Sequence, residues 1–177
     1  MPTTDNYIDE VGQILSELEA IGLKPVLIGG MALVILGSRR VTQDFDFLVS
    51  SVGLEYARLV KIFYKKGFAL AAKIDKHGAI TATLDNQNIA KIRLNLDQPL
   101  SAHFLKHKTG LRIDLLFDFP VLADELVSRS TIKKIRSYSF RIAAKEDLLH
   151  LKEIACQKRN LAADVQDLAF LKGLLPK

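Results

Sequence analysis

Asp44 and Asp46 alternate with Phe45 and Phe47 in the stretch DFDF, and a third carboxylate, Asp114, sits in LRIDLLFDF. Side chains alternate across a strand, so Asp44 and Asp46 share one face while Phe45, Phe47 and Val49 share the other. The phenylalanine face belongs to a core. The aspartate face holds two like charges about 7 Å apart, a spacing set by the strand rise. Carboxylates that close repel and raise one pKa, and a divalent cation removes the conflict. Mg²⁺ takes a few carboxylates plus water and substrate phosphates in preference to a closed protein cage. In the later stretch Leu111, Ile113, Leu115 and Phe117 share one face, and Arg112, Asp114 and Asp118 the other. Asp114 lies mid-strand among large apolar residues, where a charge needs a partner. If the two strands pair, three aspartates converge. Two metal ions about 4 Å apart could then activate an attacking hydroxyl and steady a leaving phosphate. The plainer alternative is an acidic strand facing solvent.

Gly29 and Gly30 interrupt an apolar run between a short strand and a helix. A helix N-terminus offers unpaired N–H groups and a partial positive charge. Glycine there lets a phosphate approach the backbone closely. The pair therefore reads as a phosphate seat, with a tight strand-to-helix turn as its alternative.

The elements that must position these residues follow from periodicity. A helix is predicted over Asp5 to Ile21, with Ile8, Val11, Ile14, Leu15 and Leu18 at helical spacing and Gly22 as its stop. PVLI (Pro25 to Ile28) reads as a strand, GMALVILG as a helix closing at Gly37, and DFDFLVS as a strand. Gly53 to Lys65 reads as a helix. HGAITATLDNQNIAKIRLNL reads as two strand-like runs around a DNQN turn. GLRIDLLFDF is a strand preceded by a KTG turn, and the basic run FLKHKTGLR reads as a polar hairpin turn in preference to a flank for an acceptor nucleic acid. DELVSRS is a short helix or loop, SYSFRIAA a strand, and KEDLLHLKEIACQKR and LAADVQDLAFLKGLL two helices. This order gives an α/β or α+β core with a helical C-terminal region.

Composition bounds the rest. The chain has 177 residues, of which 49% are hydrophobic and 25% charged, with a formal net charge of +5. That suits one soluble domain with a real core and is compatible with a polyanionic partner. One cysteine, Cys156, excludes a disulfide within the chain and fits a reducing compartment. The polar, acidic start is unlike a signal peptide, and no apolar run is long enough to span a bilayer, so a cytoplasmic location and no membrane partner are expected. The histidines show no metal-ligand spacing. Cys156 reads as inert packing, and Asp164 and Asp167, three apart on one helical face, as capping or pairing with Arg159 in preference to acting in catalysis. Lys152 reads either as a solvated helix cation or as a phosphate contact.

A small-residue pair, a helix, D-φ-D (φ apolar) and a lone Asp on a later strand together resemble the DNA polymerase β-like nucleotidyltransferase superfamily. GGMALVILGSRRVTQDFDF is similar to the bacterial minimal nucleotidyltransferases and the AbiEii toxin group, with Gly37, Arg40, Thr42, Asp44 and Asp46 in place. GLRIDLLFDF resembles that group's third-carboxylate strand, and AAKEDLLHLKEIACQKRNLAADVQDLAFL its C-terminal helical pair. The resemblance implies that Gly29 and Gly30 seat the triphosphate of an NTP, with Arg40, Thr42 and Lys152 as further nucleotide-binding residues. It implies that Asp44, Asp46 and Asp114 are catalytic and hold Mg²⁺ (or Mn²⁺), two ions in all.

The expectation is then a mixed, twisted sheet of nucleotidyltransferase type flanked by helices. Residues 1–140 form the core and 141–177 a helical cap packed on it, in one domain overall. The expected enzyme moves an NMP from an NTP to an acceptor hydroxyl on RNA, protein or a small molecule and releases pyrophosphate. The AbiEii likeness implies a toxin with an antitoxin protein as partner. The rivals are an antibiotic-modifying nucleotidyltransferase, which would want an acidic pocket for a cationic drug, and an inactive nucleotide-binding module, which needs no third carboxylate.

Overall fold

The structure, a computed structural model, describes residues 4–159 and 161–176. The chain opens with helix α1 (Thr4–Ala20), whose apolar stripe Val11, Ile14, Leu15 and Leu18 is buried. Strand β1 (Val26–Ile28) is buried throughout and runs directly into helix α2 (Gly29–Ile35). Strand β2 (Phe45–Val49) buries Phe45 and Phe47 completely or nearly so. Helix α3 (Tyr56–Lys65) follows, then the hairpin of β3 (Ala69–Ile74) and β4 (Ile80–Leu84). Helix α4 (Gln87–Asp97) leads to β5 (Ser101–Lys106) and β6 (Leu111–Phe117). A short helix α5 (Ala123–Arg129), the hairpin of β7 (Thr131–Ile135) and β8 (Tyr138–Ile142), and helices α6 (Lys145–Arg159) and α7 (Ala162–Leu174) complete the chain.

The strands form one mixed sheet in the order β4-β3-β5-β6-β2-β1-β8-β7. β2 runs parallel to β6, and β1 parallel to β8, while the other neighbouring pairs are antiparallel. The expected mixed sheet flanked by helices is therefore present. β8 runs through the expected boundary at residue 140 and pairs Ile142 with Leu27 of β1. Helix α7 packs on α6 and reaches α2.

Three parts of the sequence reading need correction. NIAKIRLNL is helix α4, not a strand. Its alternation of apolar and polar residues also places Ala90 and Leu94 one helical turn apart, and both are buried. The local signal that decides is Asn86, whose side chain accepts from the N–H groups of Asn88 and Ile89 as an N-cap. FLKHKTGLR is not all turn. Phe104 lies in β5, fully buried, with its ring stacked 3.9 Å from that of Phe63, and the turn occupies only residues 107–110. Strands β3, β5 and β7 are absent from the elements predicted above. β7 is an exposed, lysine-bearing edge, as edge strands often are, so it lacks the half-buried alternation that marks a strand.

Candidate active site

Sheet register brings the site together. Ile28 of β1 opposes Asp46 of β2, Asp46 opposes Asp114 of β6, and Asp114 opposes His103 of β5. Residues paired across a sheet project from the same face, so one row across four strands ends at the Gly29–Gly30 turn on one side and at His103 on the other. Above this row lies a cleft of about 560 Å³. Gly29, Gly30, Arg40, Thr42, Asp44, Asp46, Asp114 and Lys152 all line it.

The glycine turn is tight for a visible reason. Gly29 has φ +69°, and a Cβ there would run into the carboxylate of Asp46. A Cβ on Gly30 would lie 2.6 Å from Nη1 of Arg40. That guanidinium cannot simply swing away, because the same Nη1 is 2.5 Å from Asp167 Oδ2. Gly30→Val is therefore expected to strain the turn and break the Arg40–Asp167 pair. It should weaken NTP binding at least tenfold, about 1.4 kcal/mol, while the melting temperature falls by only a few degrees. Isothermal titration with a non-hydrolysable NTP beside thermal denaturation checks this. A lowered melting temperature with NTP affinity unchanged would leave the glycine as a purely structural turn.

The three aspartates differ in environment. Asp44 is exposed as a residue, yet the cleft desolvates its carboxyl enough to outweigh the guanidinium of Arg112 and raise its pKa. Asp46 is half-buried. Burial above all, and then the charges of Asp114 and Asp44, push it up to about 7. Asp114 is buried, which pushes its carboxyl up, but hydrogen bonds from His103 and Arg112 outweigh burial and hold it below the usual carboxylate range. The Nε of Arg112 donates to both carboxylate oxygens, at 2.8 and 3.2 Å, and His103 Nδ1 lies 2.9 Å from Oδ1. Arg112 also donates through Nη1 to the carbonyl of Gly78, at the β3–β4 turn. Arg112 and His103 are thus site residues to which the sequence reading assigned no role. For His103 the missed signal is the alternation in SAHFLK, with Ala102 and Phe104 buried and His103 facing the other way.

Among the described residues no group of three or more His, Cys, Asp or Glu side chains is arranged to hold a metal ion. Asp114 is engaged by Arg112 and His103, and it stands opposite Asp46 in the sheet, at the same cleft as the other two aspartates. Asp44 and Asp46 nonetheless fit a hard divalent cation. Both are oxygen donors at an open cleft, and a cation there would offset what raises Asp46, burial first and then the charges of Asp114 and Asp44.

Lys152 is not on a solvated face. It is buried, with Nζ 3.0 Å from Asp164 and 2.9 Å from Asp167, both of them buried too. Arg159 also reaches Asp164, at 3.0 Å. The two aspartates hold the cleft's cations in place, which accords with the structural role read from their spacing. Lys152→Ala removes one cation from this group while Arg40 and Arg159 remain, so it should cost on the order of 2 kcal/mol of stability. Chemical denaturation measures that loss. An unchanged midpoint would place the lysine outside the network. Cys156 is half-buried rather than fully packed.

Asp118 does not belong to the site. It lies just past β6, at φ +49°, and turns to the loop after β2. Its Oδ2 accepts from the N–H and hydroxyl of Ser51, at 2.8 and 2.9 Å, and its Oδ1 from the N–H of Ala123, at 2.8 Å. Asp118 thereby caps the end of β6 and fastens the loop after β2 and the start of α5 to it.

No protein-family model matches the sequence, and no curated protein matches it. Solved structures do. The antibiotic-resistance factor ANT(2'')-Ia in solution aligns with TM-score 0.63 at 10% identity, over 98% of this chain and 86% of that one. A nucleotidyltransferase-like protein from Paracoccidioides brasiliensis aligns with TM-score 0.60 at 14% identity, over 100% of this chain and 81% of that one. The lincosamide antibiotic adenylyltransferase LnuA, bound to lincomycin, aligns with TM-score 0.59 at 12% identity, over 94% and 97%. Identities this low show the fold alone, and the fold of this chain is that of the nucleotidyltransferases.

Proposed function

We propose that the chain is a metal-dependent nucleotidyltransferase that moves an NMP from an NTP to a hydroxyl and releases pyrophosphate. The observation that carries this reading is the row of Asp46 and Asp114 beside the Gly29–Gly30 turn at one open cleft. In this reading Gly29 and Gly30 seat the triphosphate on their backbone N–H groups, and Arg40, Thr42 and Lys152 border it. Asp44 and Asp46 would hold Mg²⁺ or Mn²⁺, which when bound neutralises phosphate oxygens and lowers the pKa of the acceptor hydroxyl. Asp114 would join them on the catalytic ion and take up the proton of that hydroxyl, oriented for the task by Arg112 and His103. Phosphoryl transfer asks the protein mainly for positioning and charge neutralisation, and the cleft offers both.

The acceptor is an RNA, a protein or a small molecule. Its toxin character, with an antitoxin as partner, rests on the likeness of GGMALVILGSRRVTQDFDF to the AbiEii group. Antibiotic modification is the second reading, supported by the fold shared with ANT(2'')-Ia and LnuA. Against a polycationic drug stands the chain's formal net charge of +5. The cytoplasmic location read from the sequence is part of the proposal. No helix among the described residues is long and apolar enough to cross a membrane.

The test is incubation with each α-labelled NTP and Mg²⁺, in parallel with total RNA, a protein extract and a panel of antibiotics. Label moving into one acceptor class with stoichiometric pyrophosphate, abolished by EDTA, supports the reading and names the acceptor. NTP binding with no label moved and no pyrophosphate released would make the chain a binding module.

A further inference from the structure

We infer that α4 is a self-association surface, on which a second copy of this chain docks antiparallel about a two-fold axis. This inference is independent of the proposed activity. Helix α4 is apolar on two faces. Ala90 and Leu94 face the core, yet Ile89, Ile92 and Leu96 are 52%, 59% and 78% exposed. Positions 89, 92 and 96 have the spacing of one helical stripe. Leu100, between the helix and β5, is also 58% exposed. Four large apolar side chains in one short segment are more than scattered surface hydrophobes, and such patches mark interfaces.

The flanks of the stripe point to a second copy as the occupant. On one side stand Arg93 and Asp97, four apart and 4.0 Å from each other, both exposed. On the other stand the exposed Asn88 and Asn95. A two-fold axis lying across the stripe preserves its sides and reverses chain direction. Same flank then meets same flank, so Arg93 of each copy opposes Asp97 of the other. Ile92 opposes Leu96 about nearly the same centre, and Asn95, close to that centre, meets its own copy with an amide that both donates and accepts. A partner of one dominant charge would find no matching field on this face, because the flanks are neutral in sum. None of the residues lining the cleft lies on α4, so docking there leaves the cleft open.

A stripe on an 11-residue helix is about 16 Å long, which makes a small interface and a weak dimer. Sedimentation velocity on the full chain from micromolar to near-millimolar concentration should therefore show a monomer–dimer equilibrium. Leu96→Lys should shift its midpoint upward at least tenfold. Arg93→Asp and Asp97→Arg should each impair self-association, because each opposes like charges across the axis. Mixed together, those two variants should recover a dimer, since every opposed pair is then unlike. Circular dichroism confirms that these exposed positions leave the fold intact. A wild type that stays monomeric throughout overturns the inference. So does a dimer indifferent to Leu96→Lys, or a mixture of the two charge variants that fails to associate.

Discussion

Asp46→Asn is expected to abolish nucleotidyl transfer while making the metal-free protein more stable at neutral and alkaline pH. Asp46 sits at the centre of the row, opposite Ile28 and Asp114, with Gly29 against its carboxylate. In the proposed mechanism this carboxylate holds the cation, and its loss removes several kcal/mol of transition-state stabilisation, about a thousandfold or more in rate. The stability effect follows from linkage. The carboxyl titrates near its ordinary 3.8 in the unfolded chain and is pushed up to about 7 in the folded one. A raised folded pKa means that the folded state binds the proton more tightly. Its contribution is fully present below about pH 4 and is lost as pH rises through 7. Asp114, held low, titrates below that window. The metal-free wild type should therefore lose melting temperature between pH 4 and 8, and Mg²⁺ should restore it at pH 8. Asn carries no charge, so the variant should show a flatter profile and no response to Mg²⁺. A difference of roughly 2–4 kcal/mol at pH 8 is expected, since each tenfold gain in proton affinity is worth about 1.4 kcal/mol and neighbouring carboxylates share part of it. Thermal denaturation across pH, with and without Mg²⁺, measures it. A variant with wild-type turnover, or one whose melting still responds to Mg²⁺, would sink the metal assignment.

The parts of the site legible in sequence are those written in local alternation. Phe45 and Phe47 go to the core because their neighbours are aspartates, and that single pattern sets both the strand and the cleft face. Gly29–Gly30 is legible because a strand ends there and a helix begins. What sequence could not supply is pairing. Nothing local says that Asp114 opposes His103, because β5 lies between a helix and a turn and its apolar residues are few. Nor does anything local say that Lys152 is buried. A lysine on a helix of low apolar content reads as solvated, and only α7, folding back with Asp164 and Asp167, removes it from water. The α4 error has the same origin. Alternation in KIRLNL fits a strand as well as a helix, and the cap at Asn86 decides between them.

Asp114→Asn and Asp118→Asn, four residues apart, should fail in opposite ways. Asp114 is held from three directions. It pairs across the sheet with Asp46 and with His103, and the guanidinium of Arg112 grips both its oxygens. That rigidity keeps the carboxylate within the fraction of an ångström that proton transfer demands. Asparagine keeps the shape but cannot take a proton, and its NH₂ would face a donor from Arg112 or His103. Turnover should fall at least a hundredfold, about 2.7 kcal/mol or more, with little change in NTP affinity, as expected of a group that acts mainly in the transition state. Asp118 has the other fate. Its two oxygens serve different donors, Ser51 on one and Ala123 on the other. Asparagine has one acceptor oxygen, so one backbone N–H loses its partner and meets an NH₂ instead, a cost of about 1–3 kcal/mol. Asp118→Asn should melt several degrees lower yet turn over within a few-fold of wild type below its transition. Single-turnover kinetics at saturating Mg²⁺, run beside thermal denaturation, separates the two. A dead but stable Asp118→Asn together with an active Asp114→Asn would mean that the reacting groups assemble at the far end of β6, and the row through Asp46 would have to be abandoned.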